Sequence, residues 1–296
     1  MNILDDIKRS FAKGSYLTQL IYINLGVFVA LHLVGLVLFF LGYKGFFSVF
    51  DFFALWAGTS EFLSHIWGIV TYMFLHESFW HLLFNLMWLF WFGQLFLKFI
   101  DQKHLLSVYL LGGLSGGLLY FISYNLIPVL SENNEFARVL GASASVMAIV
   151  IAVTLFAPEY ELYLMFLGKV KLKYIAVASI VLDIISIPWG NAGGHIAHLG
   201  GAFFGWWFVS QYKKGHLITK GFERFLDGLL TIFKPKPKLK VSYKKTGNME
   251  YDYKNKKAAE QDQINRVLEK ISKSGYSSLS KEEKELLFKM GENKPN

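Results

Sequence analysis

Cysteine is absent from the 296-residue sequence, and proline occurs only 6 times. The chain therefore forms no disulfide, and it offers no thiolate nucleophile and no cysteine ligand for zinc or an iron–sulfur cluster. Charge is also sparse over most of the length, because residues 1–212 carry 10 Lys and Arg and 11 Asp and Glu.

Long apolar runs dominate what is present. Hydrophobic residues make up 53% of the sequence, aromatic residues make up 17%, and the mean hydropathy is +0.36. Repeated apolar stretches of about 20 residues are typical of helices that span a bilayer. We therefore predict an all-α, polytopic membrane protein with a six-helix bundle at residues 19–212. The predicted spans are about 19–42, 79–100, 105–127, 139–157, 174–187 and 195–212.

The segments outside the spans differ in character. Residues 1–18 are polar, and two aspartates in them argue against a cleaved signal peptide, so we interpret them as a cytoplasmic N-terminus. Residues 43–78 are aromatic and interrupted by glycine, which predicts a structured loop in or on the bilayer surface rather than another crossing. Residues 159–173 alternate in polarity and predict a short hairpin around Gly168.

The C-terminal tail carries the basic character of the chain. Residues 213–296 hold 20 Lys and Arg and 11 Asp and Glu, against a formal net charge of +8 for the whole sequence. A basic segment directly after a span is typical of the cytoplasmic side and of attraction to anionic lipid. A cytoplasmic partner is the alternative, and nucleic acid is not expected, because no recognition motif accompanies the charge.

The tail divides into two predicted parts. Residues 213–258 are rich in lysine and predict a flexible basic linker. Residues 259–296 predict a small cytoplasmic hairpin of two amphipathic helices, either a docking module or a solvated appendage. Ser280 and Glu283 have the spacing of a capping box, which favours a helix start there. The two helices are predicted at about 260–273 and 280–290.

The distribution of basic residues predicts the orientation of the spans. With the N-terminus inside, the outer loops hold only Lys44 and Arg138 as basic residues. The inner segments hold the tail and Lys or Arg at positions 8, 9, 13, 103, 169, 171 and 173. Basic residues concentrate on the cytoplasmic side of membrane proteins. We therefore predict that both termini are cytoplasmic and that the second, fourth and sixth spans run inward.

Four polar side chains are predicted at one depth. His81 and Asn85 lie in the first turns of the second span, and Ser143 lies in the first turns of the fourth. His198 lies one turn into the sixth. At a rise of ~1.5 Å per residue, all four fall within roughly 5–10 Å of the outer helix ends. Polar groups at membrane depth indicate function by default, although plain helix packing also accommodates a serine among small residues and a polar pair on one face.

A GxxxG pattern in the sixth span favours close packing on a neighbouring helix. It is formed by Gly201 and Gly205, and the small residues around Ser143 in the fourth span make a natural partner surface. Such packing would bring His198 against Ser143. A histidine beside a serine can act as its general base.

Three motifs resemble the signatures of the rhomboid intramembrane serine proteases. They are Gly-Ala-Ser-Ala at 141–144, His-Leu-Leu-Phe-Asn at 81–85 and Ala-His-Leu-Gly-Gly at 197–201. Residues 67–76 also resemble the family's segment before the second span. The likeness covers about residues 60–212 and keeps the order and spacing of the motifs.

The resemblance implies a six-helix rhomboid-like fold and a Ser–His dyad without a third acid. Ser143 would be the nucleophile, and His198 would take its proton and return it to the leaving amine. His81, Asn85 and the backbone N–H of Ser143 would bind the tetrahedral oxyanion. The implied activity is that of a serine endopeptidase that cleaves transmembrane protein substrates near the outer membrane face, with no cofactor and no metal. The likeness is to the bacterial type of the family, which implies a location in a bacterial inner membrane.

Three positions depart from the family pattern. The residue after the nucleophile is usually glycine and here is Ala144. An arginine often follows the tryptophan at 67, where this chain has Gly68, so a loop anchor is expected to be missing. Met147 replaces an aromatic residue that often stacks on the catalytic histidine. These departures keep open an alternative, a catalytically inactive rhomboid-like protein that binds transmembrane helices.

Other chemistries have weaker support. His76 begins a segment like a zinc-protease helix, but His81 follows after five residues instead of four. His195 and His198 are better spaced for a metal, yet the sequence shows no third ligand. Asp183 is the only acid inside a predicted span, and we expect it to meet His195 or water. Together with the histidines it leaves a small transporter as a less favoured alternative.

Overall fold

The structure is a computed structural model that describes residues 2–43, 48–132, 134–164, 168–233 and 249–292. The chain forms two compact units, Met1–Lys234 and Pro235–Asn296. The first unit contains the predicted membrane domain, and the second contains the predicted helical appendage.

The described residues of the first unit form twelve α-helices and two small sheets. The helices are α1 (Ile3–Lys13), α2 (Tyr16–Phe40), α3 (Ser48–Phe53), α4 (Thr59–Ser64), α5 (Gly68–Thr71), α6 (Phe79–Phe99), α7 (Gln102–Leu126), α8 (Pro128–Ser131), α9 (Ser143–Phe156), α10 (Leu172–Ser186), α11 (Ala192–Tyr212) and α12 (Lys220–Phe233). Short 3₁₀ turns lie at Tyr72–Phe74, Asn134–Phe136 and Ile187–Trp189. The antiparallel strand pairs are β1 (Leu55–Trp56) with β2 (Arg138–Val139) and β3 (Glu161–Leu164) with β4 (Gly168–Lys171).

Helices occupy all six predicted spans, as α2, α6, α7, α9, α10 and α11. By length and apolar composition, α2, α6, α7 and α10 with its following 3₁₀ turn can each cross a membrane. The apolar α9 has only 14 residues, so at ~1.5 Å per residue it is shorter than the ~30 Å hydrocarbon layer. The predicted span began at 139, whereas the helix begins at Ser143. The fold is an all-α polytopic membrane bundle, in agreement with the composition.

The short helix α9 lies at the centre of the bundle. Ten of its 14 residues are buried, whereas only 11% of the apolar window of α2 is buried. A helix that is apolar on every side belongs in a protein interior or in lipid. Because α9 contacts α6, α7, α10 and α11, its apolar surface is covered by protein, while that of α2 faces outward.

Glycines bring α11 against α9, as the GxxxG pattern predicted. A Cβ added at Gly201 would overlap the carbonyl oxygen of Ala144, and one added at Gly205 would overlap that of Ala148. Close backbone approach of this kind is what small residues allow between helices in a membrane. On the other side of α9, a Cβ at Gly112 of α7 would overlap the Ala148 side chain. The three helices therefore form one closely packed layer around the start of α9.

The loop between α2 and α6 is held down by buried tyrosines. Its described residues, 48–78, form α3, β1, α4, α5 and a 3₁₀ turn, as expected of a structured loop, and residues 44–47 lie outside the described residues. The Tyr72 hydroxyl donates to the carbonyl oxygen of Gly113 at 2.5 Å, and the Tyr109 hydroxyl donates to that of Met73 at 2.9 Å. These bonds fix the end of the loop to α7.

Arg138 joins the same loop to the segment that leads into α9. Leu55 pairs with Val139 in the small β1–β2 sheet. The Arg138 guanidinium forms ion pairs with Asp51 and with Glu77, the second at 2.9 Å between Nη2 and Oε1. Charged hydrogen bonds at a partly buried site are stronger than exposed ones. The α2–α6 loop and the segment before α9 are therefore tied to one another next to the start of α9.

The predicted hairpin at 159–173 is confirmed by the pairing of β3 with β4. Leu164 pairs with Gly168, so Gly168 begins the second strand, and residues 165–167 lie outside the described residues. Glu159 accepts hydrogen bonds from Lys171 at 2.7 Å and from Lys173 at 2.5 Å. These two bonds lower the pKa of Glu159 to about 2.

The structure corrects the prediction of a flexible linker at 213–258. Part of it is α12, whose Asp227 carboxylate accepts a hydrogen bond from Lys103 of α7 at 3.1 Å. The prediction relied on the number of lysines. It did not take account of the apolar residues between them, which recur with helical spacing. Residues 234–248 of the predicted linker lie outside the described residues.

The second unit is a helical hairpin. It consists of α13 (Met249–Ser274), a 3₁₀ turn at Tyr276–Ser278 and α14 (Lys281–Glu292), so the first helix begins well before the predicted 260. The Ser280 N–H donates to Glu283 Oε2 at 2.7 Å, and the Glu283 N–H donates to Ser280 Oγ at 3.3 Å. The predicted capping box is therefore confirmed.

Candidate active site

Ser143 is the first residue of α9, and the loop before it has a backbone conformation that favours glycine. The φ angle of Gly141 is +127°, which side-chain-bearing residues rarely adopt, and its N–H donates to the carbonyl oxygen of Tyr72 at 2.9 Å. A Cβ at Gly141 would lie 2.8 Å from the His81 ring, so glycine also permits the approach of that imidazole. As the first residue of α9, Ser143 lies at a helix N-terminus, where the first N–H groups have no acceptor within the helix.

The structure brings Ser143 and His198 together. The Ser143 Oγ lies 2.6 Å from Nε2 of His198, a hydrogen-bond distance. Asn191 caps the N-terminus of α11 by accepting a hydrogen bond from the Gly194 N–H at 3.3 Å, and the glycine contacts with α9 set the height of the helix. The His198 side chain is 20% exposed, so the pair is sheltered but reachable.

Asp183 lies on the other side of the His198 ring. Nδ1 of His198 and Nδ1 of His195 each lie 2.8 Å from the same oxygen, Asp183 Oδ1. The aspartate is 6% exposed and occupies the last turn of α10, next to the start of α11. The expected contact with His195 is confirmed, and the contact with His198 was not predicted. Asp183 lies near the C-terminal end of α10 and His198 near the N-terminal end of α11, the next helix, so the sequence already placed them at a similar depth.

Asp183, His195 and His198 form a group of three potential metal ligands, in which Asp183 is the third ligand that the sequence did not show. Their donor atoms lie within 4.8 Å of one another. Each Nδ1 is 2.8 Å from Oδ1, whereas two ligands of tetrahedral zinc with bonds of ~2.0 Å are ~3.3 Å apart. A separation of 2.8 Å is usual for a hydrogen bond from N–H to oxygen. The contacts therefore have the geometry of hydrogen bonds to a carboxylate.

Helix α6 presents His81 and Asn85 at the same cavity. Ser78 caps this helix, because its Oγ accepts a hydrogen bond from the His81 N–H at 3.2 Å. The Asn85 Nδ2 donates to the carbonyl oxygen of His81 at 2.8 Å. An amide nitrogen has two hydrogens, so a second one is free of this bond. Asn85 is 7% exposed, and what remains accessible is at the cavity.

A cavity of about 430 Å³ joins these groups. Its polar wall is formed by His81, Asn85, Ser143, Asp183 and His198. Its apolar wall is formed by Phe84, Trp88, Leu140, Val146, Met147, Val150 and Leu182. A concave, mainly apolar surface with a few convergent polar groups is typical of a ligand or substrate site.

Comparison with known proteins agrees with this geometry. The family model of the rhomboid domain matches residues 63–213, about half of the chain, and this segment includes every residue of the cavity. The chain belongs to the rhomboid family. Residues 248–290 of this rhomboid protein match a second family model, that of a family of unknown function (DUF6576).

Several curated relatives are similar to about half of the chain. RHOMBOID-like protein 12, mitochondrial, of Arabidopsis thaliana is 32% identical over 143 residues, which are 45% of this chain and 43% of the relative. Presenilin-associated rhomboid-like protein, mitochondrial, of Homo sapiens is 29% identical over 154 residues, which are 51% of this chain and 38% of the relative. The chain therefore spans less than half of the length of these relatives.

The alanine that follows Ser143 in this rhomboid protein is accommodated by a glycine of α7. A Cβ added at Gly116 would lie 2.7 Å from the Cβ of Ala144, so the methyl group occupies space that any larger residue at 116 would fill. The methyl group that Ala144 adds relative to glycine is thus matched by a small residue on the facing helix.

Gly68 is required where the family often has arginine. A Cβ at Gly68 would overlap the carbonyl oxygen of Ala54. On either side of it, Trp67 Nε1 donates to the carbonyl oxygen of Phe52 and Thr71 Oγ1 donates to that of Phe53, both at 2.6 Å. The loop therefore has anchors of its own, in addition to the ion pairs of Arg138.

His76 lies beside His81 and is fully buried. The centroids of the two rings are 5.0 Å apart. Burial lowers the pKa of His76 to about 3, so this imidazole is neutral at physiological pH. The zinc-protease pattern suggested by His76 gains no support, because the group of potential metal ligands found among the described residues consists of Asp183, His195 and His198.

Proposed function

We propose that this chain is an intramembrane serine endopeptidase that acts through Ser143 and His198. The observation that carries the proposal is the 2.6 Å separation of Ser143 Oγ and His198 Nε2 inside a cavity of the rhomboid domain. A serine hydroxyl is a weak nucleophile until an adjacent base accepts its proton. The imidazole is at the distance that this proton transfer needs.

The proposed reaction has two halves. Ser143 Oγ attacks the carbonyl carbon of the substrate while its proton moves to His198 Nε2, and the negative charge develops on the substrate oxygen. Collapse of this intermediate breaks the C–N bond, and the same proton moves to the leaving amine. Water then repeats the sequence on the ester, which releases the acid and restores the hydroxyl.

His81, Asn85 and the Ser143 N–H are the proposed donors to the oxyanion. The N–H at the start of α9 has no intrahelical acceptor, and Asn85 has a free amide hydrogen beside the cavity. Donors that are already in place when charge develops are worth several kcal/mol of barrier in a sheltered site.

Transmembrane proteins are the proposed substrates, cut near the outer membrane face. The apolar wall of the cavity suits an apolar segment, and a peptide bond must leave its helix before a serine can reach it. Segments with small or helix-destabilising residues are therefore the favoured targets. We assign the chain to a bacterial inner membrane with both termini cytoplasmic, on the strength of the basic inner segments. The basic tail would contact anionic lipid or a cytoplasmic partner.

Labelling and cleavage with matched variants test this function. The parent protein should react with a fluorophosphonate and should cleave a reporter transmembrane substrate, and Ser143→Ala and His198→Ala should do neither. Labelling or cleavage that survives Ser143→Ala would rule out the proposed nucleophile. A folded parent that binds reporter helices but never cuts them would be an inactive rhomboid-like binder. A pH-driven ion flux that depends on Asp183 would favour a transporter.

A further inference from the structure

The side chain that completes the site beyond the expected dyad is Asp183. Its Oδ1 lies 2.8 Å from Nδ1 of His198, while Nε2 of the same ring lies 2.6 Å from Ser143 Oγ. The three groups thus form a continuous chain of hydrogen bonds. The dyad implied by the family resemblance contains no acid, so this contact goes beyond what the resemblance implied.

Burial makes the contact consequential. The side chain of Asp183 is 9% exposed, and those of His195 and His198 are 22% and 20% exposed. A carboxylate sheltered from water needs hydrogen-bond donors, and both imidazoles meet the same oxygen. His195 therefore holds the same carboxylate oxygen that His198 contacts.

The contact also decides which nitrogen of His198 carries the hydrogen. A carboxylate oxygen only accepts hydrogen bonds. The hydrogen of a neutral His198 must then lie on Nδ1, which leaves the lone pair of Nε2 directed at Ser143. That is the tautomer that can accept the serine proton, and the positive ring formed afterwards has a negative neighbour.

We propose that Asp183 is the positioning residue of His198, so that the chain works with a Ser143–His198–Asp183 triad in which His195 secures the carboxylate. This inference rests on the proposed serine-protease function. Asp183 transfers no proton itself, and it acts on the reaction only through the orientation and charge of the imidazole.

Two substitutions at position 183 separate positioning from packing. With the full-length protein in bilayer nanodiscs, Asp183→Asn and Asp183→Ala should each lower kcat by about 10²–10⁴, with KM changed less than about threefold. A packing role predicts a different result, in which the kcat of the isosteric Asp183→Asn variant stays near that of the parent and only Asp183→Ala loses activity. Ser186→Ala, in the same turn of α10, is the matched control and should keep the parental rate. An Asp183→Asn variant within twofold of the parent would overturn the proposal.

The tautomer gives a readout that does not depend on activity. With ¹⁵N-labelled histidine, the His198 signal is identified by its loss in His198→Gln. The parent should carry hydrogen on Nδ1 of His198, and the signal should change in Asp183→Asn. Hydrogen on Nε2 in the parent would contradict the proposal. If the parent cleaves nothing and the Nδ1 tautomer is present, the proposed function fails while the positioning contact stands.

A metal at the same three side chains is the remaining competitor. The parent should keep its activity after treatment with a chelator. Activity that is lost with the chelator and restored by zinc would replace the triad with a metal centre.

Discussion

At the scale of single residues, the site depends on hydrogen bonds whose partners are far apart in the sequence. Ser143 and His198 were predicted to meet because their helices carry complementary small residues, and they lie 2.6 Å apart. Asp183 was expected to meet His195 or water, and it meets both histidines. The prediction fell short because the sequence gives the depth of a side chain in a span but not the direction in which it points.

The proposed oxyanion donors give a kinetic prediction. Asn85→Ala should lower kcat by about 10²–10³ with little change in KM, because the donor acts on charge that develops only in the transition state. Asn85→Asp has the same shape and should be no better than alanine, because it places an acceptor where a donor is needed. Gln94→Ala, an exposed change on the same helix, is the control. Equal rates in the parent and Asn85→Ala would exclude Asn85 from the oxyanion site.

His76 predicts a pH dependence of stability. Its pKa is about 3 in the folded protein and 6.5 in the reference state, so the unfolded chain binds more protons between these values. The contribution of His76 to the free energy of unfolding therefore rises with pH across this window. That contribution is lost as the pH falls from 6.5 toward 3. In detergent, the melting temperature of His76→Gln should fall less than that of the parent between pH 7 and pH 5. Parallel curves for the two proteins would show that His76 contributes nothing.

At the scale of helices, close backbone contact positions the catalytic pair. Gly201 and Gly205 of α11 meet carbonyl oxygens of α9, and Ala144 fits against Gly116 of α7. Lipid tails give helices little hydrophobic reason to associate, so packing of this kind is what fixes their register in a membrane. The pattern in α11 was visible in the sequence, and the corresponding pair Gly112 and Gly116 in α7 had the same spacing and was overlooked.

A bulky residue at Gly201 should separate α11 from α9. In Gly201→Leu the new side chain would collide with the backbone of Ala144, so we expect loss of cleavage and a lower melting temperature. Gly26→Leu is the matched control, because nothing lies within 4 Å of a Cβ at Gly26 in α2. That variant should keep activity and stability close to those of the parent. An active and stable Gly201→Leu protein would mean that the helix contact does not set the site.

At the scale of the whole molecule, charge and hydropathy describe two units of different character. The first unit, Met1–Lys234, holds the apolar bundle, and the second, Pro235–Asn296, holds a polar helical hairpin. The function of the second unit stays a prediction, either a docking module or an appendage. Its basic charge and that of the inner segments support the proposed orientation.

The absence of cysteine makes the orientation simple to test. Single cysteines can be introduced at Lys8, Glu132 and Gln261. Any labelling then reports the introduced cysteine, because the chain has no cysteine of its own. In sealed cells, an impermeant maleimide should label the cysteine at 132 and should label those at 8 and 261 only after lysis. Labelling of either terminal position in intact cells would contradict an arrangement with both ends inside.

The amino-acid sequence by itself determined where the six membrane helices lie, which of them carry the site motifs and where a capping box begins α14. These properties are local, since an apolar run, a glycine spacing or a capping box acts through residues a few positions apart. The flexible linker predicted at 213–258 differs from the structure at α12, whose apolar residues recur with helical spacing and which also contacts α7, a helix distant in sequence.

Only the tertiary structure decided that Asp183 joins His198, that Arg138 ties Asp51 to Glu77 and that Gly116 makes room for Ala144. Each of these contacts joins separate elements and depends on how a helix is rotated about its axis. An apolar helix surrounded by lipid or by other apolar helices shows little amphipathic pattern, so its rotation is not encoded in hydropathy. It is set by the packing of the assembled bundle.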